Sequence, residues 1–131
     1  MAVNDYKELL AYQKSYELVL QIYELTGCYP KEEVYGLTSQ IRRAAVSIPS
    51  NIAEGFMRGP KEYIQFLKIA RGSTAELETQ LSLSKDLGYC GTQDYQKIQP
   101  LVQEVLRLVT SYITRMNDRL PKTGNRPPAN R

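Results

Sequence analysis

Apolar residues along this chain return every three or four positions, and no stretch alternates with the period of two that a half-buried strand would show. In the first periodic stretch, from about Asp5 to Thr26, Leu9, Tyr12, Tyr16, Val19 and Tyr23 fall on one face. Asn4 or Asp5 can cap its start, because a short side-chain oxygen accepts an otherwise unpaired N–H of the first turn. Gly27 can take the left-handed conformation that ends a helix, and Tyr29-Pro30 turns the chain. A second stretch, from about Glu33 to Phe56, carries Leu37, Ile41, Ala44, Ala45, Ile48 and Ile52. Its small alanines allow a neighbouring helix to approach closely. Pro49 falls inside this pattern and predicts a kink rather than a break, since the period continues to Ile52.

The third stretch starts at Pro60, favourable as a first helical residue, and runs to about Leu87. Tyr63, Phe66, Leu67, Ala70, Thr74, Leu77, Leu81 and Ser84 form its inner face. Gly72, Ser73 and Thr74 lower its intrinsic helicity, so packing must hold that turn. The fourth stretch starts near Thr92, a candidate cap, and runs to about Leu120 with Ile98, Val102, Val105, Val109, Tyr112, Met116 and Leu120 as its stripe. Pro100 either kinks it or marks its first turn. Helices of about 20 residues span roughly 30 Å, and short connections force sequential helices to lie antiparallel. The expected fold is all-α: an antiparallel up-down-up-down four-helix bundle over residues 1–120, followed by a disordered basic tail at 121–131.

Apolar positions remain after these stripes are assigned. Leu18, Ile22 and Leu25 form a second flank on helix 1, Ile69 and Leu83 on helix 3, and Leu101 and Leu108 on helix 4. Helices with extra apolar flanks have either a wide core face or a second burial surface, and self-association supplies the second. Six of the ten tyrosines fall in the first 35 residues. Tyrosine offers a large apolar face and a hydroxyl that needs a partner, which suits subunit packing; the acidic balance of helix 1 argues against base stacking there.

At 131 residues, 42% hydrophobic and 24% charged, the chain suits one globular domain and not a disordered one. No apolar run approaches the roughly 18 residues of a membrane span, and the first residues carry no secretory signal. A cytoplasmic location is the expectation. The chain has no histidine. That removes Ser-His-Asp and Cys-His pairs, imidazole metal ligands and the Glu-x-x-His motif of di-iron bundles. Two cysteines cannot complete a structural zinc site. Cys28 and Cys90 fall in the two loops that the topology brings together, and a cytoplasmic protein is expected to keep them as free thiols. No catalytic residue, metal or cofactor is expected.

The formal charge of +3 conceals segregation along the chain. Residues 1–38 and 73–106 are each net −3, whereas residues 39–72 are +4 and residues 107–131 are +5. In the expected topology one end gathers the start of helix 1, the helix 2–3 turn and the end of helix 4, and with them Arg58, Lys61, Arg115, Arg119 and Lys122. The other end gathers Glu24, Glu32, Glu33, Asp86 and Asp94. Arg42, Arg43, Lys68 and Arg71 extend the basic region along one side. A surface of this kind favours nucleic acid in a salt-dependent way, because each neutralised phosphate releases a counterion. Glu54 and Arg71 are expected to pair between helices 2 and 3, and Thr74 and Glu78 to hydrogen-bond within the bundle or across a subunit contact.

Three segments carry a family signature: Gln40-Ile-Arg-Arg-Ala, Ser47-Ile-Pro-Ser-Asn-Ile-Ala-Glu-Gly, and Ala70-Arg-Gly-Ser followed by Glu76-Leu77. Over about residues 5–120 the chain resembles the four-helix-bundle proteins encoded in intervening sequences of bacterial 23S ribosomal RNA genes. That family includes the accessory variability proteins of diversity-generating retroelements. The resemblance implies a barrel-shaped homopentamer with a basic surface, and for the retroelement branch nucleic-acid binding and association with a reverse transcriptase. Residues 1–120 are charge-neutral here, whereas the retroelement members look strongly basic. The motif positions Arg42, Arg43, Arg58 and Arg71 carry over as candidate contacts. The expected function is a non-enzymatic oligomeric accessory factor that binds RNA, DNA or a nucleoprotein. The alternative is a structural protein–protein module that forms a ring without nucleic-acid affinity.

Overall fold

The computed structural model describes residues 3–121, and among them all regular structure is helical. Four long helices account for most of the chain: α1 (Leu10–Thr26), α2 (Leu37–Arg58), α3 (Pro60–Asp86) and α4 (Thr92–Arg119). Each helix packs against two others, in the cycle α1–α2–α3–α4 and back to α1, and no contact joins α1 to α3 or α2 to α4. That pattern is a four-helix bundle around one core. Leu18 and Ile22 of α1, Ile41, Ile48 and Ile52 of α2, Leu67, Leu77 and Leu81 of α3, and Val102, Val105 and Val109 of α4 are fully buried in it. The tail expected at 121–131 falls, beyond Pro121, outside the described residues.

The first helix departs from its expected boundary and phase. Residues Tyr6–Glu8 form a separate 3-10 turn, capped by the Asp5 carboxylate on the Lys7 N–H at 2.9 Å, and Leu9 is extended before α1 begins. The core face of α1 is Ala11, Ser15, Leu18, Ile22 and Leu25, while Tyr16 and Tyr23 face outward. Of the stripe expected to be inner, Leu9, Tyr12 and Val19 pack half-buried against the core, and only Tyr16 and Tyr23 stand out in solvent. Both sets obey the same three- and four-residue spacing. Ala11 and Ser15 are small enough to let α1 close on its neighbours, and outward tyrosines keep their hydroxyls near water. Gly27 is right-handed, with φ −61°, and is not the left-handed cap the sequence suggested.

Helix α2 begins four residues later than expected. A 3-10 turn at Lys31–Glu33 precedes it, and the Glu33 carboxylate accepts the Leu37 N–H from outside the helix at 3.0 Å. The other oxygen of Glu33 accepts the Tyr89 hydroxyl at 3.0 Å, which ties the start of α2 to the α3–α4 connection. Helix α2 continues through Pro49, and α4 continues through Pro100. One residue, Gly59, separates α2 from α3. Its φ of +117° is open to glycine and strained for any other residue, and Pro60 then starts α3 with φ already helical.

Buried hydroxyls inside the bundle bond to their own helices. Thr26 donates to Ile22 O, Thr74 to Ala70 O and Ser84 to Gln80 O, at 2.7–2.8 Å. Helices α2 and α3 are also joined by hydroxyls, Ser47 Oγ to Ser73 Oγ at 2.8 Å, with the Asn51 amide donating to the Ser47 carbonyl and hydroxyl. Small side chains at that seam bring the two backbones close.

Candidate nucleic-acid interface

A one-residue connection places Arg58 and Lys61 on either side of a rigid turn, and the packing of the helix ends determines what stands beside it. A cavity of about 540 Å³ brings together Leu9 and Leu10, the Gly59–Pro60 turn, and Arg115 and Arg119 of α4. The start of α1, the α2–α3 turn and the end of α4 thus share one end of the bundle. A second, smaller cleft brings together Glu24, Cys28, Tyr89, Asp94 and Lys97 at the other end.

The eight basic candidates differ in what holds them. Arg42 is half-buried and structural in character: its Nε donates to Thr26 Oγ1 at 2.7 Å, and its guanidinium lies 4.5 Å from the centre of the Tyr23 ring. It braces α1 against α2. Arg43, one residue on, is rotated by about 100° around the helix and is exposed. The two neighbouring arginines therefore do not form one patch. Arg58 is exposed, pairs with Glu54 on its own helix at 2.7 Å, and stacks 4.9 Å from the Phe66 ring centre. Lys61, Lys68, Arg115 and Arg119 are exposed, and Arg71 is half-buried. Among the described residues none of Lys61, Arg115 and Arg119 has an ion-pair partner within 4.0 Å.

The expected Glu54–Arg71 pair is not formed. Glu54 and Arg58 are four residues apart on one helix, so their side chains are neighbours without any interhelical reach. With both groups about half exposed, that pair stabilises the helix little. Glu78 does join two helices, as expected of a bundle contact. It accepts from Gln99 at 3.3 Å and also from Gln103, both on α4. Thr74 is buried and bonds within α3. Both cysteines are free thiols, Cys28 exposed and Cys90 buried.

Two features escaped the sequence reading. The first is the cavity at the basic end. Tyr63 lines it, and its hydroxyl, buried away from solvent, has no hydrogen-bond partner among the described residues. Burial, and then the nearby Tyr112 phenol, push that hydroxyl well above the usual tyrosine range. The second is a groove of about 360 Å³ on the outside of α1 and α2, where Tyr16, Leu20 and Val46 stand exposed beside Pro49. The apolar surplus on helix 1 was its only signal, and the inverted phase hid which side carried it. Among the described residues no group of three or more Cys, Asp or Glu side chains is placed to hold a metal ion, and no helix is long and apolar enough to cross a membrane.

The geometry can be set beside known proteins. A family model for the 23S rRNA-intervening sequence protein matches residues 7–111. Among solved structures, the chain is similar to a protein of unknown function from the S23 ribosomal protein family of Bacteroides thetaiotaomicron. The two share 25% identity at a TM-score of 0.73, over 80% of this chain and 96% of that one. No curated protein matches. A family match spanning all four helices agrees with a bundle whose motif residues line the α2–α3 seam, and the chain belongs to the 23S rRNA-intervening sequence protein family.

Proposed function

We propose that this protein is a non-enzymatic oligomeric accessory factor that binds nucleic acid, RNA or DNA, or a nucleoprotein, through its basic end. The observation that carries the reading is the meeting of Arg115 and Arg119 with the Gly59–Pro60 turn around one cavity. Arg58 and Lys61 flank that turn. Lys61, Arg115 and Arg119, which have no ion-pair partner among the described residues, attract phosphate, and each contact made releases a counterion. Arg43, Lys68 and Arg71 extend the surface along the bundle; Arg42 contributes less, because α1 holds its guanidinium.

The reading takes the helices as antiparallel, in up-down-up-down order. Contacts near the ends support this: Thr26 with Arg42, Gly55 beside Phe66, and the Ala11 N–H donating to the Tyr112 hydroxyl at 3.2 Å. A reverse transcriptase as nucleoprotein partner follows from the family resemblance, and a cytoplasmic location is the default for a chain in which no secretory signal is visible.

The exposed Tyr16–Leu20–Val46 groove favours self-association, with a homopentameric ring as the form the resemblance implies. It also supports the second reading, a structural ring without nucleic-acid affinity. Fluorescence anisotropy of labelled single- and double-stranded RNA and DNA, titrated with salt, separates the two. Binding that weakens steeply with salt supports the accessory factor; no binding at about 150 mM salt, with an oligomer seen by light scattering, supports the structural ring.

A further inference from the structure

The cavity at the basic end has two kinds of wall. Val3, Leu9, Leu10, Phe56 and Met116 supply an apolar lining. Arg115 and Arg119 supply two guanidinium groups against a single lining acid, Glu8. Tyr63 and Tyr112 complete the lining, and the Tyr112 hydroxyl accepts the Ala11 N–H. At about 540 Å³ the space is in the range of small-molecule sites.

A nucleic-acid surface needs none of this depth. Phosphate contacts need exposed cations, and base stacking needs an exposed ring, whereas Tyr63 is only 8% exposed. An apolar chamber with a cationic rim instead matches a ligand that is apolar along its body and anionic at one end.

We propose that this cavity is a binding site for a free medium-chain carboxylate, with its hydrocarbon body against Leu9, Leu10, Phe56 and Met116 and its carboxylate at Arg115 and Arg119. The site goes beyond nucleic-acid binding and does not depend on it, since its ligand carries one charge and no phosphate.

Isothermal titration calorimetry of the full chain with octanoate, octan-1-ol and acetate, each below any aggregation threshold, tests the site. Saturable octanoate binding at one per chain is expected, with octanol and acetate each at least about tenfold weaker. The double variant Arg115→Ala/Arg119→Ala is expected to weaken octanoate about tenfold or more and leave octanol unchanged. Both arginines are exposed, so the fold is expected to survive, and helicity by circular dichroism verifies it. Met116→Trp, which fills the chamber, is expected to abolish both. Absence of saturable octanoate binding, octanol binding as tight as octanoate, or octanoate affinity unchanged in both variants would each overturn the proposal.

Discussion

Gly55 shows how closely the second and third helices approach. A Cβ added there would lie 2.6 Å from the Cβ of Phe66, an atom fixed to the α3 backbone and unable to swing aside. Gly55→Ala is therefore expected to destabilise the protein by about 1–3 kcal/mol in urea unfolding, through overpacking, despite alanine's better helix propensity. A neutral or stabilising result would mean the helices are further apart. Tyr63 makes a second residue-scale case. Its hydroxyl and the Cys90 thiol are both held protonated by burial, above their ordinary values of 10.0 and 9.0. The unfolded chain releases those protons first, so stability is intact below about pH 9 and falls as pH rises through the tyrosine range. Tyr63→Phe is expected to flatten the fall above pH 10 and to leave neutral-pH stability unchanged or raised by up to about 1 kcal/mol, because it removes a buried group without a partner. Unfolding midpoints measured from pH 7 to 11 check both parts. Residue roles were legible in the sequence only in part. The arginines could be counted, but not that Arg42 would be held by Thr26 while Arg43 stayed free, since that depends on which flank of α2 meets α1.

At the scale of elements, α3 and α4 were legible almost to their ends; the start of α2 was not, nor was α1. The reason lies in its double periodicity. Leu9, Tyr12, Tyr16, Val19 and Tyr23 alternate with Ala11, Ser15, Leu18, Ile22 and Leu25 at the same spacing, and periodicity alone cannot rank two stripes. Packing ranks them: the set with small residues forms the core face, Leu9, Tyr12 and Val19 pack at its edge, and Tyr16 and Tyr23 are left outside. The start of α2 was missed because Glu33 caps it as a side chain four residues upstream rather than as its first residue. The outward stripe of α1 has a direct test. Leu20 is 60% exposed in the groove beside Tyr16 and Val46. If that groove is where copies meet, Leu20→Glu is expected to reduce the mass measured by light scattering while leaving helicity intact, because a carboxylate in an apolar contact is desolvated without a partner. An unchanged mass would remove the groove from the assembly.

At the scale of the whole molecule, the proposed end-to-end sorting of charge needs only helix order and short connections. Gly59 alone links α2 to α3, so the arginine before it and the lysine after it are held at the same end as the last turns of α4. The cavity was not readable, because it arises where four chain segments fail to meet, and no single segment records that gap. The central claim is that this end, and not the molecule's modest net charge, attracts phosphate. Its most direct measurement is the salt dependence of RNA binding for the wild type, for Arg115→Glu/Arg119→Glu at the basic end, and for the remote substitution Lys97→Glu in the cleft beside Glu24 and Asp94. If the end is the contact surface, the double variant loses roughly two from the slope of log affinity against log salt and the single variant loses less than one. Equal slopes in all three proteins would contradict the account.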